Sequence, residues 1–217
     1  MKALLRKEMR LSAQILSYLF IGFAFMTLIP GYPILCGVFF MTLGIFQSFQ
    51  SAREANDIVF SALLPVPKTD VVKGKFLFTL FIELCGLVIM TILVLVRMTV
   101  WSNVTVYTQN KLMNANFVFL AFAFLLFGLF NMIFLGGFFK TAYKLGKNFV
   151  IYIVVTFFVI GIAEALQHIP GLEAVNAFGF DSIGLQATAL VVGVVLFVAL
   201  TLVSYKKSCI NFEKIDL

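Results

Sequence analysis

Long apolar runs recur along the chain, and short polar segments separate them. A helix needs about 20 consecutive apolar residues to cross the hydrocarbon core of a membrane, and six runs approach that length. The predicted spans lie near residues 13–29, 32–49, 76–96, 117–139, 149–166 and 185–205. Helix-stopping prolines mark three of the breaks, at Pro30, at Pro65 with Pro67, and at Pro170. The pattern predicts an all-α, polytopic membrane protein that forms a single transmembrane domain over residues 1–217.

The composition supports this prediction. Hydrophobic residues make up 62% of the 217 residues and charged residues only 12%, whereas about a quarter of a soluble domain is charged. The 27 phenylalanines suit a hydrocarbon environment. No cleavable signal peptide is expected, because the first apolar run is long enough to remain as a span.

The basic residues are distributed unevenly across the predicted layout. Of the 16 lysines and arginines, all except Arg97 and Lys111 fall on one side of the six-span arrangement. The positive-inside rule therefore predicts that both termini lie in the cytoplasm. Arg97 ends the third span on the outer side, where its side chain is expected to snorkel to the interface. The net charge of +6 follows topology, and no nucleic-acid partner is expected.

Residues 1–12 have the pattern of an interfacial amphipathic helix. Cations at helical spacing line one face, where they would meet anionic lipid headgroups. The alternative is a solvated basic tail that only sets topology. The candidate membrane-surface residues are Lys2, Arg6, Lys7 and Arg10.

The longest cytoplasmic connection, residues 51–75, mixes charges with large apolar side chains. Asn56 or Asp57 is predicted to cap a short helix that Pro65 and Pro67 stop. Thr69 or Asp70 would then cap the helix of the third span. The apolar side chains of the short helix require a groove in lipid or in a partner protein, or else the loop folds back on its own spans. These side chains are Ile58, Phe60, Leu63 and Leu64.

This loop resembles that of a known family. The stretch Asn56-Asp57, Leu63-Leu64-Pro65-Val66, Lys68, Asp70-Val71-Val72 and Gly74-Lys75 is similar to the cytoplasmic loop of ABC-2 type transporter permeases. The overall layout is most similar to small six-span permeases that include the phenol-soluble modulin exporter of Gram-positive bacteria. Pro67 departs from the family pattern, in which serine or a basic residue often occupies that place.

The resemblance implies a function. In that family the loop is a coupling helix that inserts into a groove of a separate ATPase subunit, and two permease subunits form the pathway. It implies a hydrophobic or amphipathic substrate, such as a peptide, exported across the inner membrane of a bacterium. The partners implied are an ABC ATPase, a second copy or related permease, and membrane lipid. The residues to which it assigns coupling are Arg53, Glu54, Asn56, Asp57, Ile58, Phe60, Leu63, Leu64, Pro65, Lys68 and Asp70.

The chain has no signature of an ATPase of its own. A phosphate-binding loop requires a Gly-Lys pair that is followed by Ser or Thr and has another glycine five residues before its glycine. Neither of the two Gly-Lys pairs, at Gly74 and Gly146, meets either requirement. We therefore expect no enzymatic activity and no cofactor on this chain, with ATP and Mg²⁺ bound by the partner subunit. The single histidine and the three scattered cysteines predict no metal site.

Two polar residues within the predicted spans are candidates for the substrate pathway. Glu83 lies about two turns into the third span, where a carboxylate is costly unless it faces a cavity or a partner. It either contacts substrate or a second subunit, or it is a carboxyl group bonded to a hydroxyl near the interface. Asn131 either lines the pathway or joins helices, as amides in membranes often do.

Two other functions remain open from the sequence. The chain could be a non-transporting immunity or scaffold protein, or an ion-coupled transporter that uses Glu83. The sequence also leaves open whether the connection at residues 167–184 forms short re-entrant helices.

Overall fold

A computed structural model describes residues 8–9, 15–57, 60–61, 66–141 and 144–215 of the chain. This part is helical, with no strand in the described residues. A single 3-10 turn, Glu173–Asn176, lies in the last long connection. The helices are α1 (Ile15–Leu28), α2 (Cys36–Glu54), α3 (Lys68–Thr99), α4 (Thr105–Thr108), α5 (Phe117–Phe138), α6 (Leu145–Leu166) and α7 (Ile183–Glu213).

Four of the described helices, α3, α5, α6 and α7, are long and apolar enough to cross a membrane. The chain is therefore a polytopic helical membrane protein. Helix α1 is shorter, and the last turns of α2 are polar, as the run Gln50-Ser51-Ala52-Arg53-Glu54 shows. Whether α1 and α2 also cross the membrane, as six spans require, stays a prediction.

Helix α1 gains length from an unusual backbone. Its first five residues are α-helical, and the following nine, Phe20–Leu28, form a 3-10 helix. A 3-10 helix rises about 2.0 Å per residue instead of 1.5 Å, so α1 extends about 25 Å rather than about 21 Å. This length approaches the roughly 30 Å of a hydrocarbon core.

Helices α1 and α2 pack closely through small and polar residues. The hydroxyl of Ser17 donates to the carbonyl of Gly44 at 2.9 Å and also contacts the hydroxyl of Ser48. A Cβ at Gly44 would lie 2.6 Å from Cβ of Phe20, so only glycine permits this approach. Such small-residue contacts are typical of helix association in membranes.

Helix α5 is the centre of the bundle. In the most apolar 18-residue stretch of each helix, 67% of the residues of α5 are buried, compared with 28% for α6 and 22% for α7. It packs against α3, α6 and, most extensively, α7. Gly193 of α7 lies so close to α5 that a Cβ there would be 2.6 Å from the carbonyl oxygen of Ala121.

Many of the phenylalanines lie inside the protein and pack against one another. The rings of Phe46 and Phe149 stack at 3.9 Å, and Phe49 meets Phe134 edge-on at 5.3 Å. Nearby, Tyr152 is fully buried and its hydroxyl accepts from Thr42 at 3.2 Å. These aromatic contacts join α2, α5 and α6 in one half of the bundle.

The structure corrects the predicted cap of the helix that contains the third span. Helix α3 begins at Lys68, and its N-cap is Pro67 instead of Thr69 or Asp70. Proline is compatible with this position because the backbone there is not yet helical. Asp70 lies in the first turn, where its negative charge faces the positive end of the helix dipole.

Candidate functional site

The helices define two ends of the bundle. The basic end contains the end of α2, the start of α3, the end of α5, the start of α6 and the end of α7, together with the loop at residues 51–75. The distal end contains α4 and the connection at residues 167–182. Most lysines lie at the basic end, so this is the side that the sequence assigns to the cytoplasm.

The described part of the loop presents several coupling candidates to solvent. Arg53, Glu54 and Asn56 are exposed, and Phe60 is 59% exposed despite its apolar ring. Asn56 has a left-handed backbone (φ 52°), which asparagine tolerates better than most residues. Its carbonyl accepts from the N–H of Phe60 at 3.0 Å, so a helical turn begins where the sequence predicted one. The other apolar candidates, Ile58, Leu63 and Leu64, and the stop at Pro65 lie outside the described residues.

A buried ionic cluster anchors this loop. Lys75 on α3 is 1% exposed, and its Nζ lies 2.7 Å from Oδ2 of Asp57 and 2.6 Å from Oε2 of Glu8. The ammonium also lies 5.7 Å from the ring centre of Phe49. Lys75 thus joins the N-terminal segment, the loop and the third span. The sequence did not predict this role, since Lys75 was counted only among the cations of the cytoplasmic side.

The spacing of residues along α3 could have predicted that Lys75 is buried. Val71, Lys75, Thr79 and Glu83 recur every four residues and are all buried, as neighbours on one helix face are. Lys75 therefore lies on the inward stripe of α3. A lysine on such a stripe requires an acidic partner, because an unpaired buried charge is strongly unfavourable.

The remaining loop candidates contact the same chain. The Nζ of Lys68 donates to the carbonyl of Ile215 at 2.6 Å, which connects the start of α3 to the C-terminal segment. The membrane-surface candidates Lys2, Arg6, Lys7 and Arg10 lie outside the described residues. Glu8, between them, is packed against Lys75, so this point of the N-terminal segment contacts protein.

A second polar cluster lies deeper in the bundle. Glu83 of α3 is fully buried, and its Oε2 accepts from Nδ2 of Asn131 at 3.0 Å. The same amide donates to Oγ1 of Thr201 on α7 at 3.0 Å. Ser204 donates to the backbone carbonyl of Asn131 at 2.5 Å. The structure therefore brings the two pathway candidates, Glu83 and Asn131, together.

The backbone at this cluster is irregular. Helix α5 widens into a π-helix over Asn131–Leu135, a feature that often occurs at functional sites. Oε1 of Glu83 and Oδ1 of Asn131 are buried and have no hydrogen-bond partner among the described residues. The cluster can therefore accept further hydrogen bonds. The described residues contain no group of three metal-ligating side chains.

Arg97, at the distal end, is packed inside the protein and does not extend to the membrane surface as expected. Arg97 is buried, its Nη1 donates to the carbonyl of Thr27 at 2.9 Å, and its guanidinium lies 4.0 Å from the ring centre of Tyr107. The hydroxyl of Tyr107 donates to the carbonyl of Leu28 at 3.1 Å. The last carbonyls of a helix lack partners within it and carry partial negative charge, which explains why a cation binds at the end of α1.

Amide side chains close the rest of the distal end. Asn116 caps α5 by accepting from the N–H of Phe119 at 3.0 Å, and its Nδ2 donates to the carbonyls of Val175 and Ala177 at 3.0 and 3.2 Å. Asn114 similarly donates from Nδ2 to the carbonyl of Asn176 at 3.0 Å.

A buried glutamine completes this amide network. Gln186 of α7 donates to the carbonyls of Gly179 and Asp181 at 3.1 and 2.7 Å, and it accepts from the N–H of Phe117 at 3.2 Å. The connection at residues 167–182 therefore lies over the ends of α5 and α7 with one 3-10 turn as its regular structure. An asparagine directly before an apolar run is a capping signal, so Asn116 could have been found from the sequence.

These features define a helical membrane protein in which the loop at residues 51–75 is anchored, through Asp57 and Lys75, to a helix long enough to span a membrane. The profile of the family described as ABC-2 family transporter protein matches residues 3–213. The chain belongs to this family, which supplies membrane proteins of ABC transporters and implies an ABC ATPase partner. No curated protein and no solved structure matches the chain.

Proposed function

We propose that the chain is the permease subunit of an ATP-driven exporter whose ATPase is a separate subunit. Family membership across residues 3–213 supports the transporter class. The narrower proposal is export of a hydrophobic or amphipathic substrate, such as a toxic or antimicrobial peptide, through a pathway formed with a second permease copy. It rests on the resemblance to the phenol-soluble modulin exporter class and on the low charge of the spans. In this proposal ATP and Mg²⁺ are bound by the partner.

The ion pair between Asp57 and Lys75 is the observation that carries the coupling proposal. A loop that only connects two spans needs no buried charge. Here Asp57 of the loop is held at 2.7 Å by a lysine on the inward face of α3. A displacement of the loop by an ATPase subunit would therefore act directly on α3.

Helix α3 provides a path from the loop to the buried polar cluster. It is continuous from Lys68 to Thr99, and Glu83 follows Lys75 by about 12 Å along the axis. Glu83 in turn contacts Asn131, at the π-helical segment of α5, and through it Thr201 of α7. Movement of α3 would change the contacts among three helices, which is what opening a pathway requires.

Phe60 is the residue on which to test docking. Burial of a large apolar side chain in a partner groove is worth roughly 1.5–3 kcal/mol, and a few such anchors dominate most interfaces. We expect Phe60→Ala, alone or with Leu63→Ala, to reduce the amount of ATPase subunit that copurifies with the permease. The measurement is the ratio of a copurifying Walker A-containing subunit to monodisperse permease in mild detergent.

Phe180 provides the matched control. It is 51% exposed, close to Phe60 at 59%, but it lies at the distal end. Phe180→Ala should leave ATPase capture unchanged. If well-folded Phe60→Ala with Leu63→Ala captures the ATPase normally and keeps its substrate-stimulated hydrolysis, the loop residues have no coupling role.

A second candidate function, ion-coupled transport, is favoured by the unpartnered oxygen of Glu83. In that case substrate transport in vesicles would be driven by a pH gradient without ATP, and Glu83→Gln would abolish it. Our proposal predicts no gradient-driven transport by the wild-type chain. Robust uptake by vesicles that lack any ATPase would reject the exporter proposal.

A further inference from the structure

A cavity of about 330 Å³ lies at the basic end, between the end of α5, the start of α6 and the end of α7. Neither Lys75 nor Glu83 lines it, although Ser204, which donates to the backbone carbonyl of Asn131, lies on its wall. Five polar side chains line it, two of them cationic. They are Lys140, Asn148, Ser204, Lys207 and Asn211.

Each helix contributes one face to this cavity. On α7 the lining residues Ser204, Lys207 and Asn211 are three and four positions apart, so they share a face. Lys140 follows Ile133 of α5 by seven residues, or two turns. The cavity walls are therefore built from α-helical surfaces of α6 and α7, the π-helical segment of α5 and its short extension at residues 139–140.

Two glycines allow the helices to pack closely at the base of the cavity. A Cβ at Gly137 would lie 2.5 Å from Cγ of Asn148, and a Cβ at Gly136 would lie 3.0 Å from Oγ of Ser204. Both glycines line the cavity. Their missing side chains let α6 and α7 approach α5 while space remains above them.

The lining changes from apolar to cationic along the bundle axis. Met132, Ile133 and Ile151 lie toward the middle of their helices, and Ile151 is 43% exposed, so the apolar part faces the surroundings of the bundle. Lys140 and Lys207 lie nearer the helix ends. This order matches a lipid molecule, with acyl chains toward the membrane centre and a headgroup at its surface.

The charge of the cavity is not compensated within the described part of the chain. No aspartate or glutamate lines it, and the described residues place no carboxylate within 4.0 Å of the ammonium groups of Lys140 and Lys207. Two lysines that face one cavity repel each other unless an anion lies between them. The site therefore favours a negatively charged occupant.

We propose that this cavity binds the headgroup of an anionic phospholipid. The phosphodiester lies between Lys140 and Lys207, the amides of Asn148 and Asn211 bond the polar headgroup atoms, and the first acyl methylenes cover Met132 and Ile151. Basic pockets between membrane helices recognise anionic headgroups in this way. Two of the apolar lining residues, Met132 and Ile133, belong to the π-helical segment of α5, so the bound lipid stabilises the backbone beside Glu83.

Binding of defined lipids to the delipidated full-length chain tests this proposal. By native mass spectrometry, we expect one dioleoyl phosphatidylglycerol per chain to be retained under conditions that remove dioleoyl phosphatidylcholine. The double variant Lys140→Gln with Lys207→Gln should bind phosphatidylglycerol roughly 30-fold less tightly, since each cation contributes about a factor of five. The matched control, Lys144→Gln with Lys206→Gln, removes two exposed lysines of the same end and should bind almost as the wild type does.

Three outcomes would overturn the proposal. Equal losses in both double variants would show diffuse attraction to a basic surface. Equal retention of phosphatidylcholine would show that the headgroup charge is not recognised. Thermal stabilisation by inorganic phosphate equal to that by phosphatidylglycerol would show a site for a free anion.

A measurement on the wild-type chain covers the case in which the double variant does not fold. Phosphatidylglycerol with a photoreactive diazirine near the top of an acyl chain should label peptides that contain Met132, Ile133 or Ile151. Labelling confined to other helices would also reject the site.

Discussion

Different interactions stabilise the two ends of the bundle. At the basic end, one buried lysine binds two carboxylates from two different segments, at 2.6 and 2.7 Å. At the distal end, the amides of Asn114, Asn116 and Gln186 bind backbone carbonyls of the connection that covers them. The first arrangement joins opposite charges. The amide network consists of neutral hydrogen bonds, and the buried cation Arg97 at this end binds a backbone carbonyl.

This difference indicates which end is built to respond to a partner. Each neutral hydrogen bond contributes about 1 kcal/mol, largely independent of salt, and the amides at the distal end bind many carbonyls in one short connection. The buried ion pair at the basic end instead joins a loop directly to a helix. In the proposed coupling, the basic end would therefore transmit movement of the loop to α3, and the distal end would serve as a cover.

The placement of the two ends in the membrane is the prediction with the largest expected effect. In a variant that lacks the native cysteines, Thr108→Cys should react completely with an impermeant thiol reagent added to intact cells, and Ala55→Cys should not react. Both positions are exposed in the structure. Ser61 is unsuitable for this test, because it is buried and its hydroxyl lies 3.5 Å from Oδ1 of Asp57. Reversed labelling would place the loop outside and reject coupling to a cytoplasmic ATPase.

Removal of the central lysine should have the largest energetic effect. Lys75→Met leaves the carboxylates of Glu8 and Asp57 without their cation, and breaking a buried ion pair costs about 3–5 kcal/mol. We expect a large decrease in melting temperature, measured by fluorescence in detergent.

A triple variant separates stability from coupling at the same site. Lys75→Met with Glu8→Gln and Asp57→Asn removes all three charges, so much of the stability should return. Substrate-stimulated ATP hydrolysis should stay low, because the ionic connection between the loop and α3 is missing. Normal stimulation in the stable triple variant would show that the cluster has only a structural role.

A smaller effect is expected from the distal end. Asn116→Ala removes the cap of α5 and the donor to two carbonyls, for an expected loss of about 1–3 kcal/mol. ATPase capture per folded permease should not change. Asn103→Ala is the control, since Asn103 is exposed and its loss should hardly alter the melting temperature. A loss of capture in the folded Asn116→Ala variant would contradict the division of roles between the two ends.

Much of the architecture followed from the chain alone. Apolar runs long enough to span a membrane predicted the four helices that the structure shows to have that length, because lipid cannot satisfy a backbone outside regular structure. The loop pattern at residues 51–75 predicted the transporter family that the match over residues 3–213 confirms. The six-span count and the coupling role of the loop residues stay predictions.

Side-chain partners could not be obtained in the same way. Lys75 was grouped with the surface cations and Arg97 was expected at the interface, yet both are buried with specific partners. Composition and hydropathy show how many charges a segment carries. Whether a charged side chain is buried depends on which face of its helix points inward and on which residues from distant segments pack against that face. Lys75 and Glu8 are 67 residues apart, and Arg97 and Thr27 are 70 apart.

The sequence by itself therefore determined that the protein lies in a membrane, where its long helices are and to which family it belongs. These properties depend on local hydrophobicity and on local motifs. Only the tertiary structure decided that Glu83, Asn131 and Thr201 form one cluster, and that α5 is π-helical there. It also decided that Lys140 and Lys207 face one cavity. The physical reason is that hydrogen bonds and ion pairs act over about 3 Å, so they exist only after packing has brought separate helices together.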